Sequence, residues 1–200
     1  KIDNVRYISN YSSGKMGISL ARVAAELGAD VKLIIGPTNQ KINHSNVELI
    51  NVISADQMYD SVLENFSSTD ITICSAAVSD FKPKNPVNKK IKKGTGFNNI
   101  ELIPNKDILL DISKTKSLSQ ILVGFALESD NERNNAISKL TTKNLDLVVL
   151  NSLNDKDAGF GIDTNKITLI CSDRNIDEFE SKSKYDVAKD IFKKILKIKK

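Results

Sequence analysis

The chain has 200 residues, 40% hydrophobic and 27% charged, with a formal net charge of +4 and a mean hydropathy of -0.25. This composition suits a globule that can bury a core, and it excludes a disordered tail and a helical membrane protein, because no apolar run approaches a spanning length. The excess positive charge is concentrated in residues 89–93 and 193–200 rather than spread as a stripe, so neither nucleic acid nor a membrane is an expected partner.

Residues 1–9 are short and polar, and the chain opens at Lys1 without methionine or an apolar leader, which predicts a fragment or processed product, incomplete at its N-terminus. Helical spacing follows from Lys15 to Leu27, with Ile18, Ala21, Val23 and Ala25 facing the core and Gly28 as the stop. Residues 31–35 read as a strand closed by Gly36-Pro37, and 47–52 as a short strand within a loop. Ser54 with Gln57 forms a capping box that opens a helix to Phe66, and residues 71–76 read as a central strand. From Phe81 to Pro86 and on through the lysine run, proline and charge predict an exposed loop outside the sheet.

A helix over 107–114, a strand over 121–126, a helix over 131–143 and a strand over 145–151 continue the alternation. A strand over 166–171 and an amphipathic helix over 185–199 end it. The pattern predicts one α/β domain over residues 1–200, a Rossmann-like three-layer fold with a mostly parallel sheet. Its leading strand is missing, since an anion loop in such a sheet normally follows a strand and residues 1–9 cannot supply one. Cys74 and Cys171 read as reduced core cysteines of a cytoplasmic protein, and with His44 the sole histidine no metal site is expected.

The main functional signal is Val5-Arg6-Tyr7-Ile8-Ser9-Asn10-Tyr11-Ser12-Ser13-Gly14-Lys15-Met16-Gly17, a polar loop running straight into a helix. The first N–H groups of a helix lack internal acceptors and sit at the positive end of the peptide dipoles, so a phosphate or carboxylate is stabilised there. Asn10, Ser12 and Ser13 add donors, Gly14 lets a ligand approach the backbone, and Lys15 adds charge. The plainer alternative is that Ser12, Ser13 and Gly14 only cap the helix. Neither common phosphate motif is present: G-x-G-x-x-G is absent, and Met16 stands where a P-loop has Ser or Thr.

Four later segments carry weaker signals. Ser75-Ala76-Ala77-Val78-Ser79-Asp80-Phe81 offers small residues on which a flat base can lie, with Asp80 as an acceptor, or else is an ordinary turn. Lys89-Lys90-Ile91-Lys92-Lys93 is either a solvated loop or a flap whose charge repulsion a polyanion relieves. In Gly124-Phe125-Ala126-Leu127-Glu128, Phe125 packs on a base or fills the core. Lys139 and Lys143 share a helix face near its C-terminus, a placement that the helix dipole alone explains.

Together these strings, with Phe160-Gly161-Ile162-Asp163-Thr164-Asn165, resemble phosphopantothenoylcysteine synthetase over nearly the whole chain. Three positions depart from that pattern: Ser79 replaces a usual alanine, Asn105-Lys106-Asp107-Ile108 stands for N-P-D-I, and Leu150-Asn151-Ser152 for Ala-Asn-Asp. The resemblance implies a ligase joining 4′-phosphopantothenate to L-cysteine through an acyl-cytidylate, releasing CMP and pyrophosphate in coenzyme A biosynthesis. It implies Asn10 and Lys90 as catalytic residues, and a nucleotide site from Ser12, Ser13, Gly14, Ala76, Asp80, Lys90, Asn105, Lys106, Asp107, Ile108, Phe125, Lys139 and Lys143. It further implies CTP as cosubstrate with Mg2+, a homodimer with a flap over residues 82–97, and fusion to a flavin-dependent decarboxylase half. A non-catalytic nucleotide-binding or dimerisation module and an NAD(P)-dependent oxidoreductase remain the alternatives.

Overall fold

The computed structural model describes residues 1–93, 99–155 and 159–198. Helix α1 (Lys15–Glu26) buries the four side chains expected of it and ends at Gly28, whose φ is +87°. There the Ala29 N–H reaches Ala24 O and the Gly28 N–H reaches Ala25 O, both at 3.0 Å, the paired bonds of a Schellman stop. Strands β1 (Val31–Ile35) and β2 (Val47–Asn51) pair in parallel. In helix α2 (Ala55–Phe66) the Gln57 N–H donates to Ser54 Oγ at 3.2 Å, while Gln57 Oε1 accepts from the Ile53 N–H, one residue earlier than a regular capping box requires.

Strand β3 (Ile71–Cys74) is shorter than expected, and the chain after it enters a small antiparallel ladder of β4 (Phe81–Pro83) with β5 (Leu102–Pro104). The expectation of a loop is corrected here, although the ladder does lie outside the main sheet. Helix α3 (Ile108–Ser113), strand β6 (Ile121–Glu128), helix α4 (Glu132–Thr142) and strand β7 (Leu147–Ser152) follow. Strands β8 (Thr164–Cys171) and β9 (Ile176–Ser183) and helix α5 (Lys184–Ile198) complete the described chain. The expected end of the last helix at Lys199 lies outside the described residues.

The main sheet has five strands in the order β3-β6-β7-β8-β9, and β1-β2 form a separate pair. The β1–β2, β3–β6 and β6–β7 pairings are parallel, whereas β8 and β9 run antiparallel. Strand β9 is an addition to the expected elements. Its sequence, Ile176-Asp177-Glu178-Phe179-Glu180-Ser181-Lys182-Ser183, is mostly polar because an edge strand buries little, and Phe179 alone packs against the core.

The pleat of β6 and β7 separates two cores. Ile121, Val123, Leu147 and Val149 face α1 and α5, while Leu122, Ala126, Val148 and Leu150 face α2, α3 and α4. This is the three-layer plan, and it carries the C-terminal ends of β3 and β6 and the start of α1 to one rim. Gly124, within β6, lets Leu109 and Leu145 close over the strand, because a Cβ there would lie 2.9 Å from both Leu109 Cδ2 and Leu145 Cδ1 and would make those side chains shift. No described helix is long and apolar enough to cross a membrane.

Candidate functional site

Helix α1 begins without a side-chain cap: its N-cap is Gly14, left-handed at φ +77°, and among the described residues no side chain accepts from the first-turn N–H groups. Of the capping alternative, Gly14 does take the N-cap position but neither serine supplies a capping oxygen, so the helix start keeps its orphan donors. The loop before it is shaped from outside, as Thr38 Oγ donates to Ser13 O at 2.7 Å from the turn after β1. A Cβ on Gly14 would meet Thr38 Oγ at 3.1 Å, so the left-handed turn and the Thr38 brace both call for glycine.

The turn after β3 meets this loop. Ser75 Oγ lies 3.5 Å from a Cβ built on Gly17, and Asn10 Nδ2 donates to Ala77 O at 3.0 Å. One N–H of the Asn10 amide is thus committed to backbone, which orients the group and leaves its second N–H for a ligand. Ala76 and Asp80 are exposed on the same turn, and Tyr11 is 92% exposed beside it.

Asn105 continues the constellation: its N–H donates to Asp80 O at 2.8 Å and its Nδ2 to Ser79 O at 2.7 Å. Its Oδ1 is the one buried side-chain polar atom left without a partner among the described residues. A buried acceptor in that condition is costly unless a ligand supplies the donor. The neighbouring Lys106 turns away, with its ammonium 4.3 Å from the centre of the Tyr59 ring. Ile108 is buried in the fold.

Asp107 caps α3 by accepting from the Leu110 N–H at 3.0 Å, and its other oxygen accepts from Lys143 Nζ at 2.7 Å. Partial burial would raise its carboxyl pKa, but the Lys143 and Leu110 hydrogen bonds and the Lys143 and Lys139 charges hold it below the ordinary value. Lys139 Nζ donates to Phe125 O at 2.6 Å, so it serves a tertiary contact rather than the end of its own helix. Burial, and then the Lys143 charge, lower its pKa. Beneath them the Cys74 thiol is pushed up to about 12 by burial, against the pull of both lysines. Phe125 is half-buried and packs against the α1–α5 core.

Lys90 is exposed, and the structure ties its loop to the N-terminal segment through Ile91. Residues 94–97 of the expected flap lie outside the described residues. The fold therefore assembles Asn10, Gly14, Ala76, Asp80, Asn105, Asp107, Phe125, Lys139 and Lys143 along one rim, and it gives Lys106 a partner elsewhere. A cleft of about 390 Å³ lined by Glu132, Ser152, Lys166 and Glu178 shares none of these residues. Among the described residues no group of three His, Cys, Asp or Glu side chains could hold a metal ion.

Sequence reasoning did not single out Asp3 and Arg6, which hold the loop of Lys90 through Ile91, or Thr38, which braces the loop before α1. Arg6 stood in the quoted loop string, but its partner is 85 positions away and carries no side-chain signal.

A family model described as the DNA/pantothenate metabolism flavoprotein C-terminal domain matches residues 1–198. The chain is 52% identical over 195 residues to a cysteine/cysteine sulfinic acid decarboxylase from an unknown prokaryotic organism, covering 98% of this chain and 54% of that protein. It is 42% identical over 199 residues to the coenzyme A biosynthesis bifunctional protein CoaBC of Bacillus subtilis (strain 168), covering 100% of this chain and 49% of that one. The chain thus spans about half the length of the curated relatives it matches. Among solved structures, the C-terminal domain of coenzyme A biosynthesis bifunctional protein CoaBC superposes with a TM-score of 0.81 at 35% identity, covering 98% of this chain and 87% of that one.

Proposed function

The chain belongs to the DNA/pantothenate metabolism flavoprotein C-terminal domain family, and from that premise we propose that it is a synthetase domain joining 4′-phosphopantothenate to L-cysteine. One juxtaposition carries the reading: an uncapped helix start, an oriented asparagine amide and an unpartnered buried acceptor share a rim with two lysines. This set suits an anionic, amine-bearing ligand such as a nucleotide.

In the proposed reaction the substrate carboxylate attacks the α-phosphorus of CTP, and the bond to the β-phosphate breaks as pyrophosphate leaves. The cysteine amine then attacks the acyl carbon, CMP departs, and the amine proton passes to solvent. Lys90 offsets charge on the phosphates in the first step. The second N–H of Asn10 faces the acyl oxygen in the next. The helix start with Ser12, Ser13 and Gly14 takes an anionic group, and Ala76, Asp80, Phe125, Lys139 and Lys143 position the nucleotide. Asn105 Oδ1 accepts from the amino group of the base. Asp107 acts by holding Lys143.

CTP is the proposed nucleotide, from the similarity of residues 10–17 to the bacterial branch of the synthetases. Mg2+ arrives with the triphosphate, held by its oxygens. The domain works in the cytoplasm as a homodimer, and within a longer protein it accompanies a flavin-dependent decarboxylase half. Exposed Val5, Tyr7, Tyr11, Phe81 and Leu102 around the site support a second subunit there.

Pyrophosphate release, measured with CTP or ATP and with phosphopantothenate and cysteine added or withheld, tests the proposal. Release that requires phosphopantothenate supports it, and none with either nucleotide refutes it. The decarboxylase relative favours a second reading, which carbon dioxide release from cysteine without nucleotide would select.

A further inference from the structure

Asp3 is a buried carboxylate at 1% exposure and belongs to neither hydrophobic cluster, and among the described residues its bonds go to residues 5, 6 and 91. Its Oδ1 accepts from the Val5 N–H at 2.8 Å and the Arg6 N–H at 2.7 Å, closing a tight turn. Its Oδ2 accepts from Arg6 Nη1 at 2.9 Å and from the Ile91 N–H at 3.2 Å. The Arg6 guanidinium extends to the other side of the same residue, with Nη2 at 3.4 Å and Nη1 at 3.5 Å from Ile91 O. Ile91 is therefore gripped at both its N–H and its carbonyl. A second tie, from the Val87 N–H to Ile2 O at 3.1 Å, holds the loop on the other side of Lys89 and Lys90.

We propose that Asp3 and Arg6 form a positioning clamp that fixes the arch 87–91 and thereby registers Lys90 against Asn10. The clamp rests on the synthetase reading above. Its physical logic is preorganisation. An arch of lysines that repel one another is expensive to order, and backbone ties made before the nucleotide arrives remove that cost from the reaction. The clamp joins the two stretches that carry these groups: Asn10 lies four positions after Arg6, and Lys90 immediately precedes Ile91. Burial would raise the Asp3 pKa, yet the N–H groups of Val5, Arg6 and Ile91 and the Arg6 charge lower it, so the carboxylate stays ionised as the clamp requires.

A double-mutant cycle on the 200-residue chain tests this, with formation of the acyl-nucleotide followed in a single turnover by quench and mass spectrometry. Arg6→Gln slows that step between about tenfold and a hundredfold. In a Lys90→Gln background the same change has no further effect, because there is no Lys90 left to place. Arg6→Lys keeps the charge beside Asp3 but loses the fork on the Ile91 carbonyl, and it shows the same non-additivity at smaller size should Arg6→Gln fold poorly. Equal slowing in both backgrounds overturns the clamp, leaving Arg6 a general structural residue. A parent chain that releases no pyrophosphate overturns the synthetase reading, and the clamp with it.

Discussion

Replacing Asp107 by alanine removes two interactions whose sizes can be estimated separately. The carboxylate caps α3 through Leu110 and pairs with Lys143. Loss of an N-cap costs about 1 kcal/mol. The ion pair is partly exposed, with 43% of the Asp107 side chain open to solvent, so solvent screening limits it to roughly 0.5 kcal/mol. For a chain of this size about 1 kcal/mol corresponds to a melting shift of about 2–4 °C. Asp107→Ala should therefore lower Tm by roughly 3–6 °C. Asp107→Ser, which restores a capping oxygen but not the pair, should lower it by only about 1–2 °C. The pH dependence has a definite sign. The folded carboxyl lies below the ordinary aspartate value of 3.8, so its contribution is fully present above that value and is lost as the pH falls through the folded pKa. Scanning calorimetry from about pH 7 to pH 3 should show the gap between parent and Asp107→Ala narrowing in acid. An equal loss in the serine and alanine variants, or a gap unchanged across that range, would refute the reasoning.

If Asn10 holds the acyl oxygen as proposed, Asn10→Asp should consume CTP once and stall, because the second amide N–H is gone; normal multiple turnover by mass spectrometry of quenched reactions would remove Asn10 from the mechanism. Lys90→Gln should act earlier, slowing formation of the intermediate by about a hundredfold, or ~3 kcal/mol; an unchanged single-turnover rate would make the lysine run a solvated loop. Ile191→Ala, at a fully buried position where α5 meets the sheet, should cost about 3 kcal/mol and lower Tm by roughly 6–12 °C in calorimetry. With its thiol pushed up to about 12, Cys74 should react with iodoacetamide at about pH 8 on the order of a thousandfold more slowly than free cysteine. Labelling of native Cys74 within minutes would show that the thiol is not buried.

Short-range physics was readable directly from the residues. Gly28 had to stop α1 because few other residues accept a φ of +87°. Ser54 announced a helix start because a short polar side chain caps N–H groups two or three positions on, and Asp107, read as the first residue of its helix, proves to cap α3 in the same way. The central strands were legible because burial on both faces leaves near-continuous apolar runs, as in Ile121 to Ala126. The junction of loop and helix at residues 10–17 was visible for the same local reason, since glycine and small polar residues sit directly before a helical period.

What the sequence could not hold was any contact made through backbone at long range or on an unburied edge. Strand β9 went unseen because an edge strand needs no apolar alternation, and periodicity carries no strand direction, so the antiparallel turn of β8 and β9 was equally silent. The short β4–β5 ladder was hidden by its prolines. In the candidate site, residue types suggested Lys106 and Lys139 alike, and only tertiary structure sent one to the Tyr59 ring and the other to Phe125 O. The Asp3–Arg6 pair is local yet went unread, and its grip on Ile91 is made to a peptide group that every residue possesses, so the fold alone decided where that pair acts.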